Sequence, residues 1–276
     1  MIVSTSRKVV GVLFALVMLL ALTGVASADK LADIKKAGVL RAAVFDSNPP
    51  FGLVDEKTKT LVGYDVDFAK LFAQKLGVKL ELVPTNPANR IPLLQSDKAD
   101  LIVADFTITE ERAKVVEFST PYFVTGQQFL VAVSGKGKLA DYATSRIGAV
   151  KGTTGEQTIK VKFPQARVVS YDDIPLAFSA LRSGNVAAIT QDSDILVGLL
   201  AGASDKAKFK ILPEFLSVEN IGIGAQKGET ALIAEINKIL VASEKDGSAV
   251  KIFDAWFGSG SKTPQARNFK IVEPKK

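Results

Sequence analysis

From Leu31 onward, short apolar runs alternate with stretches of helical period. The segments 39–46, 79–85 and 99–105 read as strands. Between them, 65–77 is an amphipathic helix closed by Gly77, and 88–98 is helical. A Thr followed by two acids opens a further helix at Thr109. A long β-rich run, 121–133, follows a proline. The alternation then restarts with strands at 146–151, 166–171 and 187–192 and helices from about Thr154, over 174–183 and over 193–201. A strand at 221–228 and helices over 230–245 and 248–257 complete the pattern, and the Lys-rich, apolar-poor tail after Gly258 is expected to be loose. Strands alternating with helices predict an α/β fold with largely parallel sheets. The restart predicts two lobes with crossings near 123–128 and 216–222, so that 29–124 and 220–276 form one lobe and 125–219 the other.

The first 28 residues follow a different pattern. Arg7 and Lys8 precede an apolar run from Val9 to Leu22, and Ala26-Ser27-Ala28 is a small-x-small cleavage pattern. These features predict a secretory signal peptide ending at Ala28. The run is shorter than the roughly 20 residues that a membrane span needs. No cysteine follows it, which excludes a lipid-anchored lipoprotein. A soluble periplasmic protein is the expectation.

Loss of Arg7 and Lys8 lowers the net charge from +6 to about +4. The remaining basic residues are dispersed and do not cluster with aromatics, which argues against nucleic acid as a partner. The chain has no Cys and no His. That excludes thiolate zinc sites, cysteine nucleophiles and Ser-His-Asp triads. No metal or cofactor is expected. Stability must come from core packing, which 47% apolar residues can supply.

In open α/β sheets ligands bind beyond the carboxyl ends of strands. Three such ends carry polar residues: Asp105-Phe106-Thr107, Lys151-Gly152-Thr153-Thr154 and Gln191-Asp192. Each also has a simpler reading. Arg112 fits a solvated helix residue paired with an exposed acid, Thr107 and Thr109 fit helix caps, and Asp192 fits the N-cap of the helix that starts at Ser193. The segment GAVKGTTGE lacks the Gly-Lys-Ser/Thr core of a phosphate loop.

Taken together, PPFG (49–52), LVGYDVDFAKLFAQKLG (61–77), RIPLLQSDKADLIVADFTITEERAKVVEFSTPY (90–122), GAVKGTTGE (148–156), ALRSGNVAAITQD (180–192) and GIGAQKG (222–228) resemble the polar amino-acid-binding periplasmic proteins of ABC importers, solute-binding protein family 3. The resemblance implies a type II periplasmic binding fold: two Rossmann-like lobes, joined by two hinge strands, that close on one amino acid. It assigns Arg112 a two-pronged salt bridge to the ligand α-carboxylate, which a planar guanidinium can make and a lysine cannot. It makes Thr107, Thr153 and Thr154 donors to the same group and Asp192 the acceptor of the α-ammonium. It implies a free amino acid and a membrane permease as partners, and a monomer.

The resemblance also bears on the side-chain pocket. Asp46 matches a position near the ligand; next to it many members place an aromatic that stacks on the ligand side chain, and here that partner is either missing or replaced by Phe51. Arg90 matches an arginine that holds the distal carboxylate in binders of acidic amino acids, which favours glutamate or aspartate. Asp105 opposes that reading; it can contact the ligand or pair with Arg90. Ala187 stands where most members carry an acid. The alternative function is an exported dehydratase of the cyclohexadienyl type on the same fold, with Asp105 or Asp192 as its proton donor.

Overall fold

The computed structural model describes residues 29–274; the expected signal peptide lies outside them. Two five-stranded sheets organise the chain. The first has the order β5-β1-β6-β15-β7 and the second β11-β10-β12-β9-β13.

In the first sheet, β1 (Val39–Phe45) runs parallel to β5 (Lys79–Thr85) and β6 (Leu101–Ile102). The edge is completed by β15 (Gly224–Gln226), antiparallel to β6, and by β7 (Val116–Phe118), antiparallel to β15. Helix α1 (Lys30–Ala37) precedes β1. The small strands β2 (Ser47–Asn48), β3 (Gly52–Val54) and β4 (Leu61–Val62) form a separate flap. Helix α2 (Tyr64–Leu76) buries Tyr64, Phe68, Leu71 and Phe72 at helical spacing, and Gly77 ends it with φ +71. The expected helix 88–98 is a short 3₁₀ turn followed by α3 (Arg90–Gln95).

The second sheet sets β10 (Arg146–Val150) parallel to β11 (Arg167–Tyr171) and β12 (Ala188–Asp192); β9 (Gln127–Ala132) runs antiparallel to β12, and β13 (Phe209–Ile211) antiparallel to β9. Helices α5 (Thr154–Lys162), α6 (Ile174–Arg182) and α7 (Ser193–Gly202) connect them, and the four-residue α4 (Glu110–Ala113) belongs to the first half.

The chain passes between the sheets twice. The β-rich run 121–133 divides at Gly126 into β8 (Phe123–Thr125) and β9, and the return uses β14 (Glu219–Ile221). β8 and β14 pair antiparallel, with Thr125 opposite Glu219. The expected single strand 221–228 is broken at 222–223 into β14 and β15, so one half serves the crossing and the other the first sheet.

Helices α8 (Thr230–Lys245) and α9 (Ser248–Phe257) return to the first body. Phe257 packs within 5.1–5.8 Å of the Phe51, Tyr64 and Phe123 rings. The tail is not loose, contrary to its composition. Arg267 pairs with Glu244 at 2.5 Å, Phe269 lies 5.1 Å from Phe123, Ile271 is buried, and the Thr120 hydroxyl donates to the Val272 carbonyl at 2.8 Å. A few well-placed contacts fix this segment, and average hydropathy does not register them.

Candidate functional site

The ends of β6, β10 and β12 converge on one cavity between the two bodies. Seven of the eight expected site residues line it: Arg90, Asp105, Thr107, Arg112, Thr153, Thr154 and Asp192. Asp46 does not. Its neighbours Phe45 and Asn48 do, because successive residues at a strand end point to opposite sides. Phe51 is also absent from the lining. It is fully buried among Tyr64, Phe123 and Phe257, which rules it out as a stacking partner. The cavity measures about 10 Å³, the scale of one water molecule.

Arg112 and Arg90 are both buried, with 8% and 3% exposure, so neither is a solvated surface residue. They flank the Phe106 ring, with guanidinium carbons 4.8 and 4.6 Å from its centroid. Among the described residues no carboxylate lies within ion-pair distance of either. Glu110 and Glu111, the neighbouring acids, are exposed, and Glu111 pairs with Lys114. Burial lowers the Arg112 pKa against the pull of Glu219, Asp192 and Asp105. Burial and the charge of Arg112 bring Arg90 down to about 9, which leaves it charged at neutral pH.

The two guanidiniums differ in what they have left to offer. Arg90 donates to the carbonyls of Pro87 (3.1 Å), Ala104 (3.1 Å), Asp105 (2.8 Å) and Gly152 (3.1 Å). Arg112 donates only to those of Thr107 (2.8 Å) and Gly152 (2.9 Å). A guanidinium has five N–H groups. Arg112 therefore keeps an N–H on each terminal nitrogen, the fork a carboxylate needs, whereas Arg90 is nearly saturated. Arg90 bonds the backbone carbonyl of Asp105, not its carboxylate, so the Arg90–Asp105 ion pair is not formed.

Asp105 and Asp192 both line the cavity, close enough that each shifts the other's titration. Oδ1 of each is buried without a hydrogen-bond partner, and so is Nδ2 of Asn48. Burial raises the Asp105 pKa to about 7, and burial together with Asp105 and Glu219 raises that of Asp192. Asp192 occupies the N-cap position of α7 but its side chain does not cap the helix.

The threonines differ from expectation. The Thr153 hydroxyl donates to the Val150 carbonyl at 2.7 Å and accepts from the Glu156 N–H at 3.2 Å, which caps α5. Those of Thr107 and Thr154 both donate to Glu219 Oε2, at 2.6 and 2.8 Å. A hydroxyl carries one proton. In this conformation none of the three has a proton for a ligand, and the donors left on this side are the first N–H groups of α5.

Sequence reasoning missed Asp65. Its carboxylate accepts the Asp105 N–H at 2.8 Å and the Tyr122 hydroxyl at 2.5 Å, and so holds the turn in which Asp105 has φ +39. The signal was its place on the buried stripe of α2 with Phe68, Ala69 and Phe72. Burial raises Asp65 to about 7 against these hydrogen bonds. A carboxyl raised in the fold binds its proton more tightly there than in the unfolded chain, so its contribution to stability falls as pH rises from about 4 to 7. Asp105 and Asp192 act in the same direction. The melting temperature is expected to drop by at least about 5 °C over that interval, and Asp65→Asn to flatten the decline, as read by calorimetry at several pH values.

Comparison with known proteins fits this geometry. Residues 40–259 match the model of the bacterial extracellular solute-binding proteins, family 3. The chain belongs to this family. It is 36% identical over 233 residues to the ABC transporter glutamine-binding protein of Bacillus subtilis (strain 168), covering 83% of this chain and 84% of the relative. The cysteine-binding protein of Campylobacter jejuni superposes with a TM-score of 0.81 at 29% identity, covering 89% and 100% of the two chains. An ancestral amino acid-binding protein described as a precursor of cyclohexadienyl dehydratase superposes at 0.75 with 33% identity, covering 82% and 98%. The fold is thus that of a type II periplasmic binding protein. This family member is a solute-binding protein of amino-acid ABC import, a binding protein and not an enzyme.

Proposed function

We propose that this protein captures a polar amino acid in the periplasm and presents it to an ABC permease. Residues 29–124 with 220–276 act as one lobe, 125–219 as the other, and 1–28 serve as the export signal. Arg112 grips the α-carboxylate, helped by the first N–H groups of α5, and Asp192 takes the α-ammonium. The observation that carries this reading is the pairing of Arg112, with an open fork, against two carboxyls that each have an unpartnered oxygen. A cavity of about 10 Å³ cannot hold an amino acid, so capture requires the lobes to part and close again about β8 and β14.

The same inventory bears on the side chain. Arg90 matches the distal-carboxylate arginine of acidic amino-acid binders, but four of its N–H groups bond backbone carbonyls. Asp105 offers an acceptor, which suits a ligand with an amide or cationic side chain and opposes a second carboxylate. Glutamine, the ligand named for the Bacillus relative, has that chemistry. Calorimetry on protein unfolded and refolded to remove solute, with glutamine, arginine, cysteine and glutamate, tests this. Preference for glutamate would reverse the side-chain assignment, and no binding by any of the common amino acids would end the proposal.

Binding an ammonium needs Asp105 and Asp192 as carboxylates. Asp105 holds its proton up to about pH 7. Affinity is therefore expected to rise with pH, by up to about tenfold per unit, up to about pH 7. Titrations in buffers of different ionisation enthalpy will read the released proton.

A further inference from the structure

Glu219 lies outside every motif singled out in the sequence. It starts β14, one of the two strands that cross between the lobes, and it is buried at 5% exposure. Its Oε2 accepts the Thr107 hydroxyl at 2.6 Å and the Thr154 hydroxyl at 2.8 Å, while Oε1 accepts the Ser217 hydroxyl at 2.9 Å. Thr107 follows β6 of the first sheet, and Thr154 begins the helix after β10 of the second. One oxygen on a crossing strand thus receives a hydroxyl from each lobe. The Gln127 amide donates to the Thr154 oxygen at 2.7 Å, which leaves the Thr154 proton directed at Glu219.

The arrangement also forms a wall. Thr107 and Thr154 line the central cavity on one side and an open groove of about 400 Å³ on the other, and Glu219 lines that groove. Parting the lobes must separate at least one hydroxyl from the shared oxygen, and doing so joins cavity to groove.

We propose that Glu219 is a hinge-mounted clasp. It holds the lobes together by binding one hydroxyl from each, and its release opens the cavity toward the groove. A residue on a crossing strand moves little during hinge rotation, so both lobes close onto a fixed point. Hydrogen bonds to a charged acceptor are among the stronger ones in proteins, enough to bias an equilibrium between open and closed forms. Glu219 is in this sense a positioning residue: it acts through the threonines and need not touch the solute.

The chain has no cysteine, so a spin-label pair can be placed cleanly at the exposed positions Gln95→Cys and Gln165→Cys, one on each lobe. Interlobe distances are measured by double electron–electron resonance on protein refolded without solute. Glu219→Ala is expected to raise the open population about tenfold, and Thr154→Val and Glu219→Gln, which keeps an acceptor oxygen but loses the charge, to raise it less. Should Glu219→Ala fail to fold, Thr154→Val alone decides. A parent-like distance distribution in these variants, or a parent already fully open, overturns the clasp. Because no ligand enters the measurement, that result leaves amino-acid capture standing, and failure of every amino acid to bind leaves the clasp standing.

Discussion

Replacing Arg112 with alanine is expected to weaken amino-acid binding by at least a factor of about 100, measured by calorimetry against the best ligand of the parent. The guanidinium is buried, stacked on Phe106 and held by the carbonyls of Thr107 and Gly152, so its direction is fixed before a ligand arrives. Removing it leaves a carboxylate enclosed without its partner, a loss of roughly 3–5 kcal/mol. Arg112→Lys should recover little, since an ammonium is a point charge that cannot form two parallel bonds. Unchanged affinity in Arg112→Ala would refute the site assignment. The counterpart Arg90→Ala should act mainly on folding, because that guanidinium ties Pro87, Ala104 and Asp105 into one turn.

Gly152→Ala should impair closure with little effect on either lobe alone. Gly152 has φ +75, and a Cβ there would sit 2.8 Å from the Ala88 Cα and 3.1 Å from the Pro87 carbonyl oxygen. Those neighbours are backbone atoms of the opposite lobe and can move away only if the lobes separate. The left-handed backbone costs a non-glycine residue about 1 kcal/mol in any state, whereas the clash exists only when the lobes meet. Affinity is expected to fall by about 10- to 100-fold while the melting temperature of the solute-free protein shifts by only about 2–4 °C. Small-angle scattering at saturating ligand should give a larger radius than the parent, and parent-like affinity together with parent-like compaction would contradict the close approach seen here.

Much of the architecture can be read in the sequence because strand and helix leave different periodicities, and because polar residues after apolar strands stand out. Asp105 and Asp192 stand out for that reason, whereas Arg112 reads as a surface helix residue and is singled out by the resemblance to the family. What escaped depends on distance in the chain. Glu219 is 112 residues from Thr107 and 65 from Thr154, and only the strand crossing brings them together. Asp65 reads as an ordinary acid in a first helical turn until the burial of its stripe is known. The threonine roles depend on where a single proton points, which spacing does not encode. Asp46 was a one-residue matter of strand facing, with Phe45 and Asn48 turned inward instead. The tail was misjudged because composition averages over residues, while Arg267, Phe269 and Ile271 each find a specific partner.

That strapped tail determines what a fusion would report. Residues 267–272 are tied to Glu244 and Thr120, so a fluorescent module appended at the carboxyl end would ride on the first lobe alone. A second fluorophore at exposed Lys136, in the turn after β9 on the other lobe, would turn each closing event into a change of energy transfer and make the chain the frame of an optical amino-acid sensor.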